Sequence, residues 1–323
     1  MKKIIFIVYV MLQLTSKLAF AQQDAQFSQY MFNGIYINPA YAGYKEQLNA
    51  SAFYRNQWAG ITGSPKTTSV AIDAIANDGN VGLALQLSTD ELGAQKNFAG
   101  YANYAYRIRM NEDGTSRLAL GLGIGVVQFG INGALLNPND PEPNQPVGMQ
   151  TSTVPDARIG VYFSNNQFFA GLSVDNLVAQ YLNKDRYTFI PQPKPQIYLT
   201  AGTLIPLSED MVLKPSFLIK DDRAGPTGLD IDAFIIMGDK VWIGGGYRTG
   251  IKLYNKPYLQ SDLNSQNSAV GAVQIFATNN IRIGYAYDFS VGPLQRYSGG
   301  THEISISYYF TRKNERMLSP RYF

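Results

Sequence analysis

Apolar and polar residues alternate with a period of two along most of this chain. From Val81 to Ser88 every second residue is Val or Leu, and from Ile281 to Phe289 every second residue is Ile, Tyr or Phe. This period is typical of β-strands with one apolar face, and we predict an all-β protein of about 14 strands. The predicted strands are 48–56, 66–76, 81–89, 97–109, 116–128, 155–164, 167–176, 195–206, 210–220, 227–237, 240–248, 268–277, 280–290 and 300–310.

The connections between these strands alternate between short and long. The short ones are rich in Gly, Asn and Asp, which suit hairpin turns: 77–80, 111–114, 164–166, 207–209, 238–239 and 278–280. The longer ones are 57–65, 90–96, 129–154, 177–194, 221–226, 249–267 and 291–299. Short turns at one rim, long loops at the other and an even number of strands predict a transmembrane antiparallel β-barrel of the bacterial outer membrane, with outer-membrane lipid as a partner of its outer face.

Charged residues within the predicted strands should face the barrel interior, because a charge facing lipid near the bilayer midplane is costly. The residues expected to point inward are Asp73, Arg107, Arg158, Lys214, Asp230, Asp232, Arg248, Arg282, Asp288 and Glu303. Both signs occur in this set. A network that fills and stiffens the lumen, a selective pore and a luminal ligand site all remain open at this point.

The first 21 residues are typical of a signal peptide. Lys2 and Lys3 precede an apolar run from Ile4 to Leu12, and Ala19-Phe20-Ala21 supplies small residues at a cleavage site. The alternative, a membrane anchor, needs ~20 apolar residues, far more than this run provides. We therefore predict a signal peptide at 1–21, a separate segment at 22–47, the barrel at 48–310 and a periplasmic tail at 311–323.

Composition excludes several other classes of function. Removing the three lysines of the signal peptide leaves 24 basic residues against 24 acidic ones, so no basic surface for nucleic acid is expected. The chain has no Cys, and His302 is its single histidine. The glycines from Gly121 to Gly125 alternate within a strand pattern and indicate room in the wall rather than a phosphate-binding loop. We predict no catalytic residues, no metal site, no cofactor and no enzymatic activity.

The segment after the signal peptide does not follow the strand pattern. It is dense in aromatic and amide side chains, so we expect it to pack either as a plug in the lumen or against a periplasmic partner. The candidate plug or partner-binding residues are Gln26, Phe27, Ser28, Gln29, Tyr30, Met31, Phe32, Asn33, Asn38, Pro39, Ala40, Tyr41 and Gly43.

This segment resembles the opening of the PorP/SprF family of outer-membrane proteins. The matching stretches run from Gln23 to Asn33 and from Asn38 to Gly43, with Ala25 where the family has Pro, and the ending Leu318–Phe323 is similar too. The resemblance implies a barrel of the type IX secretion system, often tied to gliding motility. It also implies partners: a secreted cell-surface adhesin held or exported through its C-terminal domain, and periplasmic components of the secretion system.

Two functions of different classes stay open. In the first, the barrel binds an adhesin, with loops 129–154, 177–194 and 249–267 as the contact surface. In the alternative, it is a channel or transporter for small solutes.

The tail 311–323 carries four cations and a terminal Tyr-Phe, and either extends into the periplasm or contacts a periplasmic partner.

Overall fold

A computed structural model describes residues 27–136, 147–182, 193–223, 225–238, 240–256, 267–291 and 293–310. Its strands are β1 Asn49–Asn56, β2 Lys66–Ala76, β3 Val81–Leu92, β4 Gln95–Arg109, β5 Arg117–Asn132, β6 Met149–Ser164, β7 Phe168–Asp175, β8 Gln196–Thr203, β9 Ile205–Ser208, β10 Met211–Asp221, β11 Thr227–Met237, β12 Val241–Ile251, β13 Asn267–Phe276, β14 Ile281–Val291 and β15 Thr301–Tyr309. Helical structure in the described ranges is limited to single turns, and none of it could cross a membrane.

The strands form one closed antiparallel ring. Apart from β8 and β9, neighbours in sequence pair throughout, and β15 pairs with β1 to close the ring. β8 and β9 are separated by one residue and both pair with β10. They therefore count as one interrupted strand, and the barrel has 14 strands. The predicted all-β transmembrane barrel of about 14 strands is confirmed.

The two faces of the wall differ as the period of two predicts. In β3, Leu83 and Leu85 are exposed on the outside, whereas Ala84 and Gln86 are buried. All ten charged residues expected to face inward are buried: Asp73, Arg107, Arg158, Lys214, Asp230, Asp232, Arg248, Arg282, Asp288 and Glu303.

Several predicted boundaries were wrong. The expected long loop 90–96 is a tight hairpin of two residues between Leu92 and Gln95. The loop expected at 129–154 is shorter, because β5 continues to Asn132 and β6 begins at Met149. Polar residues there suggested a loop, but above the lipid a strand can have two polar faces.

The predicted strand 195–206 is interrupted, which also displaces the turn predicted at 207–209. Leu204 separates β8 from β9, and residues 207–208 belong to β9. Opposite this break, β10 pairs with β8 from Ser216 onward and with β9 up to Leu213. Pro215 lies between these two stretches, and proline has no N–H to donate to a neighbouring strand.

The sheet is uneven at the rim that carries the longer loops, here called the long-loop rim, because β6 rises past its neighbour β7. The opposite rim is the short-turn rim. β4, β5 and β6 have 15, 16 and 16 residues. β6 pairs with the 8-residue β7 only from Ile159 to Ser164. Residues 149–158 of β6 therefore extend beyond the end of β7, forming with β4 and β5 a raised sheet.

Candidate functional site: the segment inside the barrel

Residues Phe27–Tyr44, here called the luminal segment, lie inside the ring of strands. The chain advances through three short 3-10 turns, Tyr30–Phe32, Gly34–Tyr36 and Pro39–Tyr41. All residues from Ser28 to Tyr44 are buried. Frequent Gly, Asn and Pro prevent a longer helix here, so the segment folds back on itself in compact turns.

Near the long-loop rim, two carboxylates of the wall hold the start of the luminal segment. Glu303 accepts the backbone N–H groups of Ser28 at 2.7 Å and of Gln29 at 2.9 Å. The Ser28 hydroxyl donates to Asp288 at 2.7 Å. Arg55 bridges both acids, with Nη2 2.7 Å from Asp288 and Nη1 3.0 Å from Glu303, and its Nη1 also donates to the Ser28 hydroxyl. Arg55 thus compensates the charge of both carboxylates, and the luminal segment supplies further hydrogen-bond donors to them.

The ion pairs continue along the wall from this point. Arg248 lies 3.3 Å from Asp288 and 3.0 Å from Asp230, which in turn lies 3.0 Å from Lys220. Arg248 also donates to the carbonyl of Phe27 at 3.4 Å. Positive and negative side chains alternate in this chain of contacts, which compensates the cost of burying each charge.

In the middle of the barrel the contacts are mostly aromatic. The ring of Phe32 packs edge-on against Phe234 at 5.4 Å and Trp242 at 5.2 Å between centroids. The Tyr30 hydroxyl donates to Asp232 at 2.8 Å, and the Asn33 amide donates to Ser51 at 2.7 Å. Polar atoms of the segment thus find partners where its rings bury apolar surface.

Asn38 anchors the last turn of the luminal segment. Its side-chain oxygen accepts the N–H of Ala40 at 2.8 Å, which caps the turn begun by Pro39. Its amide nitrogen donates to the carbonyl of Val161 in β6 at 2.9 Å.

Glycines of the wall allow the segment to approach closely. A Cβ on Gly121 would lie 2.1 Å from the Ala40 nitrogen, and one on Gly82 would lie 1.8 Å from the Ala42 oxygen. Any side chain at these positions would overlap the segment's backbone. The expectation that the glycines between Gly121 and Gly125 leave room in the wall is met at Gly121 of β5, where the luminal segment occupies the space.

Near the short-turn rim, where the segment leaves the lumen, a second group of charged side chains holds it. Arg107 donates to the carbonyl of Gly43 at 2.9 Å and contacts Glu46 at 3.1 Å. Arg117 forms a further ion pair with Glu46. The chain then enters β1, so the luminal segment is tied to the wall at both of its ends.

A small cavity remains between the luminal segment and the wall. Its volume is about 20 Å³, and Tyr30, Met31, Tyr41, Tyr162 and Phe169 are among its lining residues. A space of this size holds about one water molecule. This cavity cannot admit a metabolite.

The structure thus brings twelve of the thirteen candidate residues together in the lumen, whereas Gln26 lies outside the described residues. Their role as a plug or partner-binding motif stays a prediction.

Sequence reasoning missed Arg55, although its position two residues after the inward-facing Phe53 could have identified it as luminal. His302 is partly exposed on the outer face, where its Nδ1 lies 2.7 Å from the Tyr285 hydroxyl.

The predicted contact loops are described in part, since 137–146, 183–192 and 257–266 lie outside the described residues. Loop 177–194 begins with a helical turn, Ala179–Leu182. Asp156 of β6 accepts the N–H groups of Val178 at 3.0 Å and Ala179 at 2.9 Å. Ala179 packs with Tyr101 and two valines against the inner face of the raised sheet.

A family model described as type IX secretion system membrane protein PorP/SprF matches residues 19–308 of the chain. The match covers both the luminal segment and the strands of the barrel. No curated protein sequence matches this chain significantly.

Solved structures with the same architecture are outer-membrane barrels of low sequence identity. The monoaromatic hydrocarbon channel CymD is 11% identical, with a TM-score of 0.55 over 88% of this chain and 94% of its own. The toluene transporter TbuX of Ralstonia pickettii is 10% identical, with a TM-score of 0.50 over the same shares of the two chains. At such identity the likeness establishes the fold alone.

Proposed function

Because this chain belongs to the PorP/SprF family of type IX secretion system membrane proteins, we propose that it binds a secreted cell-surface adhesin through the adhesin's C-terminal domain and holds or helps to export it. The protein is a β-barrel of the bacterial outer membrane, so its short-turn rim faces the periplasm and its long-loop rim faces outside.

The presence of the buried luminal segment inside the barrel is the observation that carries the proposal. The luminal segment contacts the wall from Glu303 near the extracellular rim to Arg107 near the periplasmic rim. A cavity of about 20 Å³ beside it has room for about one water molecule. A barrel whose lumen holds a segment tied to the wall at both ends is suited to binding a partner at a rim rather than to passing solutes.

The raised sheet offers a surface for that partner. Leu135, Val147 and Met149, which flank the part of the β5–β6 connection outside the described residues, are 64%, 88% and 52% exposed, and Tyr181 in the helical turn after β7 is 66% exposed. These apolar side chains are exposed at the extracellular rim, where water surrounds them unless a partner covers them. Exposed apolar side chains at the extracellular rim are candidates for a protein interface.

The alternative, a channel for small solutes, draws on the fold alone, since CymD is described as a hydrocarbon channel. It requires the luminal segment to leave or rearrange. The segment's buried ion pairs and close glycine contacts oppose such a rearrangement.

The test is a mild-detergent pull-down of the tagged protein from its own outer membrane, followed by mass spectrometry. We expect one large secreted protein, recovered through its C-terminal domain. The variant Leu135→Ser/Met149→Ser should lose it, whereas Leu207→Ser, an exposed leucine near the opposite rim, should retain it. Recovery of the barrel alone from the wild type, together with ion conductance in a bilayer, would favour the channel.

A further inference from the structure

A row of polar side chains crosses the outer face of the barrel where its first and last strands meet. His302 of β15 pairs with Asn56 of β1, and Asn56 pairs with Lys66 of β2. Directly opposed residues on antiparallel strands share one face, with Cα atoms roughly 4.5–5.5 Å apart. Their neighbours Arg55 and Thr67 are buried, so this row lies on the outside.

The row marks the upper limit of the apolar belt. On the membrane side of it, Ile304, Tyr54 and Val70 are exposed to 52%, 44% and 44%. On the other side the extracellular loops begin, and two of them are joined by the hydrogen bond from the Ala59 N–H to the Gly300 carbonyl at 2.8 Å. The row therefore lies at the depth where lipid headgroups meet the protein.

The charge of Lys66 is not balanced within the described part of the chain. Its other cross-strand neighbour is Glu91 of β3, but that carboxylate is 2.7 Å from the ammonium group of Lys96. No ion pair of Lys66 occurs among the described residues. An anion at this depth would therefore find an uncompensated positive charge.

The ring of His302 is fixed by two tyrosines. The Tyr285 hydroxyl lies 2.7 Å from Nδ1, and the Tyr287 ring centroid lies 5.0 Å from the imidazole centroid. When Tyr285 donates to Nδ1, the proton of the neutral ring is on Nε2, which then acts as a hydrogen-bond donor. The site combines one cation and one oriented donor two strands apart.

We propose that Lys66, Asn56 and His302 form a binding site for the phosphate-bearing headgroup of an outer-leaflet lipid. Lysine binds phosphate as a point charge, and each cation near an anionic lipid surface contributes roughly 1 kcal/mol, or about a fivefold change in affinity. The acyl chains of such a lipid would lie along Ile304 and Tyr54. This inference is independent of the secreted partner proposed above.

The test uses the detergent-purified full barrel and a phosphorylated lipid A as the probe, with bound lipid counted by native mass spectrometry. We expect the phosphorylated lipid to bind more tightly than the same lipid without phosphate. Lys66→Gln/His302→Gln should weaken binding at least fivefold, whereas Lys240→Gln, which changes an exposed lysine between β11 and β12 at the short-turn rim, should leave it unchanged.

Equal binding of the two lipids by the wild type would overturn the proposal, and this comparison does not depend on how well the variants fold. Unchanged binding by a folded double variant would overturn it too. Displacement of the lipid by millimolar inorganic phosphate would show a site for the free anion rather than for a lipid. The heat-dependent shift of the barrel in gel electrophoresis reports folding of every variant.

Discussion

Arg55 and Glu303 are directly opposed on β1 and β15 and form an ion pair of 3.0 Å. They join the first and last strands of the barrel. Glu303 also accepts the backbone N–H groups of Ser28 and Gln29, near the start of the luminal segment. Closure of the ring and placement of the segment therefore depend on the same carboxylate.

Glu303→Gln should lower the free energy of unfolding by about 1.5–3 kcal/mol, because it weakens the charged hydrogen bond to Arg55, which keeps its ion pair with Asp288. The measurement is the denaturant concentration at which the barrel loses its heat-modifiable folded form. Glu91→Gln removes an exposed pair with Lys96 and should cost at most about 1 kcal/mol. Equal effects of the two substitutions would contradict the role given to Glu303.

Gly121→Val should displace the luminal segment, because the wall at Gly121 touches the backbone of Ala40. We expect new protease cleavage within residues 27–44 of the folded barrel. Gly271→Ala is the matched control, since a Cβ there meets nothing within 4 Å. Protection of the segment in the Gly121 variant would mean that its placement does not depend on this contact.

Asn38→Ala should loosen the last turn of the segment, since it removes both the cap on Ala40 and the bond to Val161. Loss of a cap costs about 1 kcal/mol, and an unsatisfied buried group adds roughly 1–3 kcal/mol. Hydrogen exchange should accelerate in residues 39–44. Asn165→Ala, which removes a comparable cap in an exposed turn, should change exchange only near that turn.

The period of two in the sequence was enough to predict the barrel and the direction of its charges. Asp288 and Glu303 could be placed inside because the lipid-facing wall excludes charge. The ends of the long strands could not be predicted as well. The hairpin at Gly93-Ala94 is bordered by charged residues such as Glu91 and Lys96, which alternation alone assigns to a loop.

The contacts of the luminal segment could not be predicted from the sequence, because they join residues far apart in the chain. Asn38 and Val161 are 123 residues apart, and Ser28 and Glu303 are 275 apart. No local pattern encodes such pairs. The dense aromatic and amide composition of the segment indicates that it must pack somewhere, but both a luminal and a periplasmic position are compatible with it.

The conductance of the purified protein in a planar bilayer tests most directly the claim that the luminal segment closes this barrel. The wild type should be nearly silent, whereas a folded variant lacking residues 27–44 should conduct. Steady open-channel current from the wild type would contradict the account, because it would show a continuous aqueous path past Phe32, Asn38 and Tyr41.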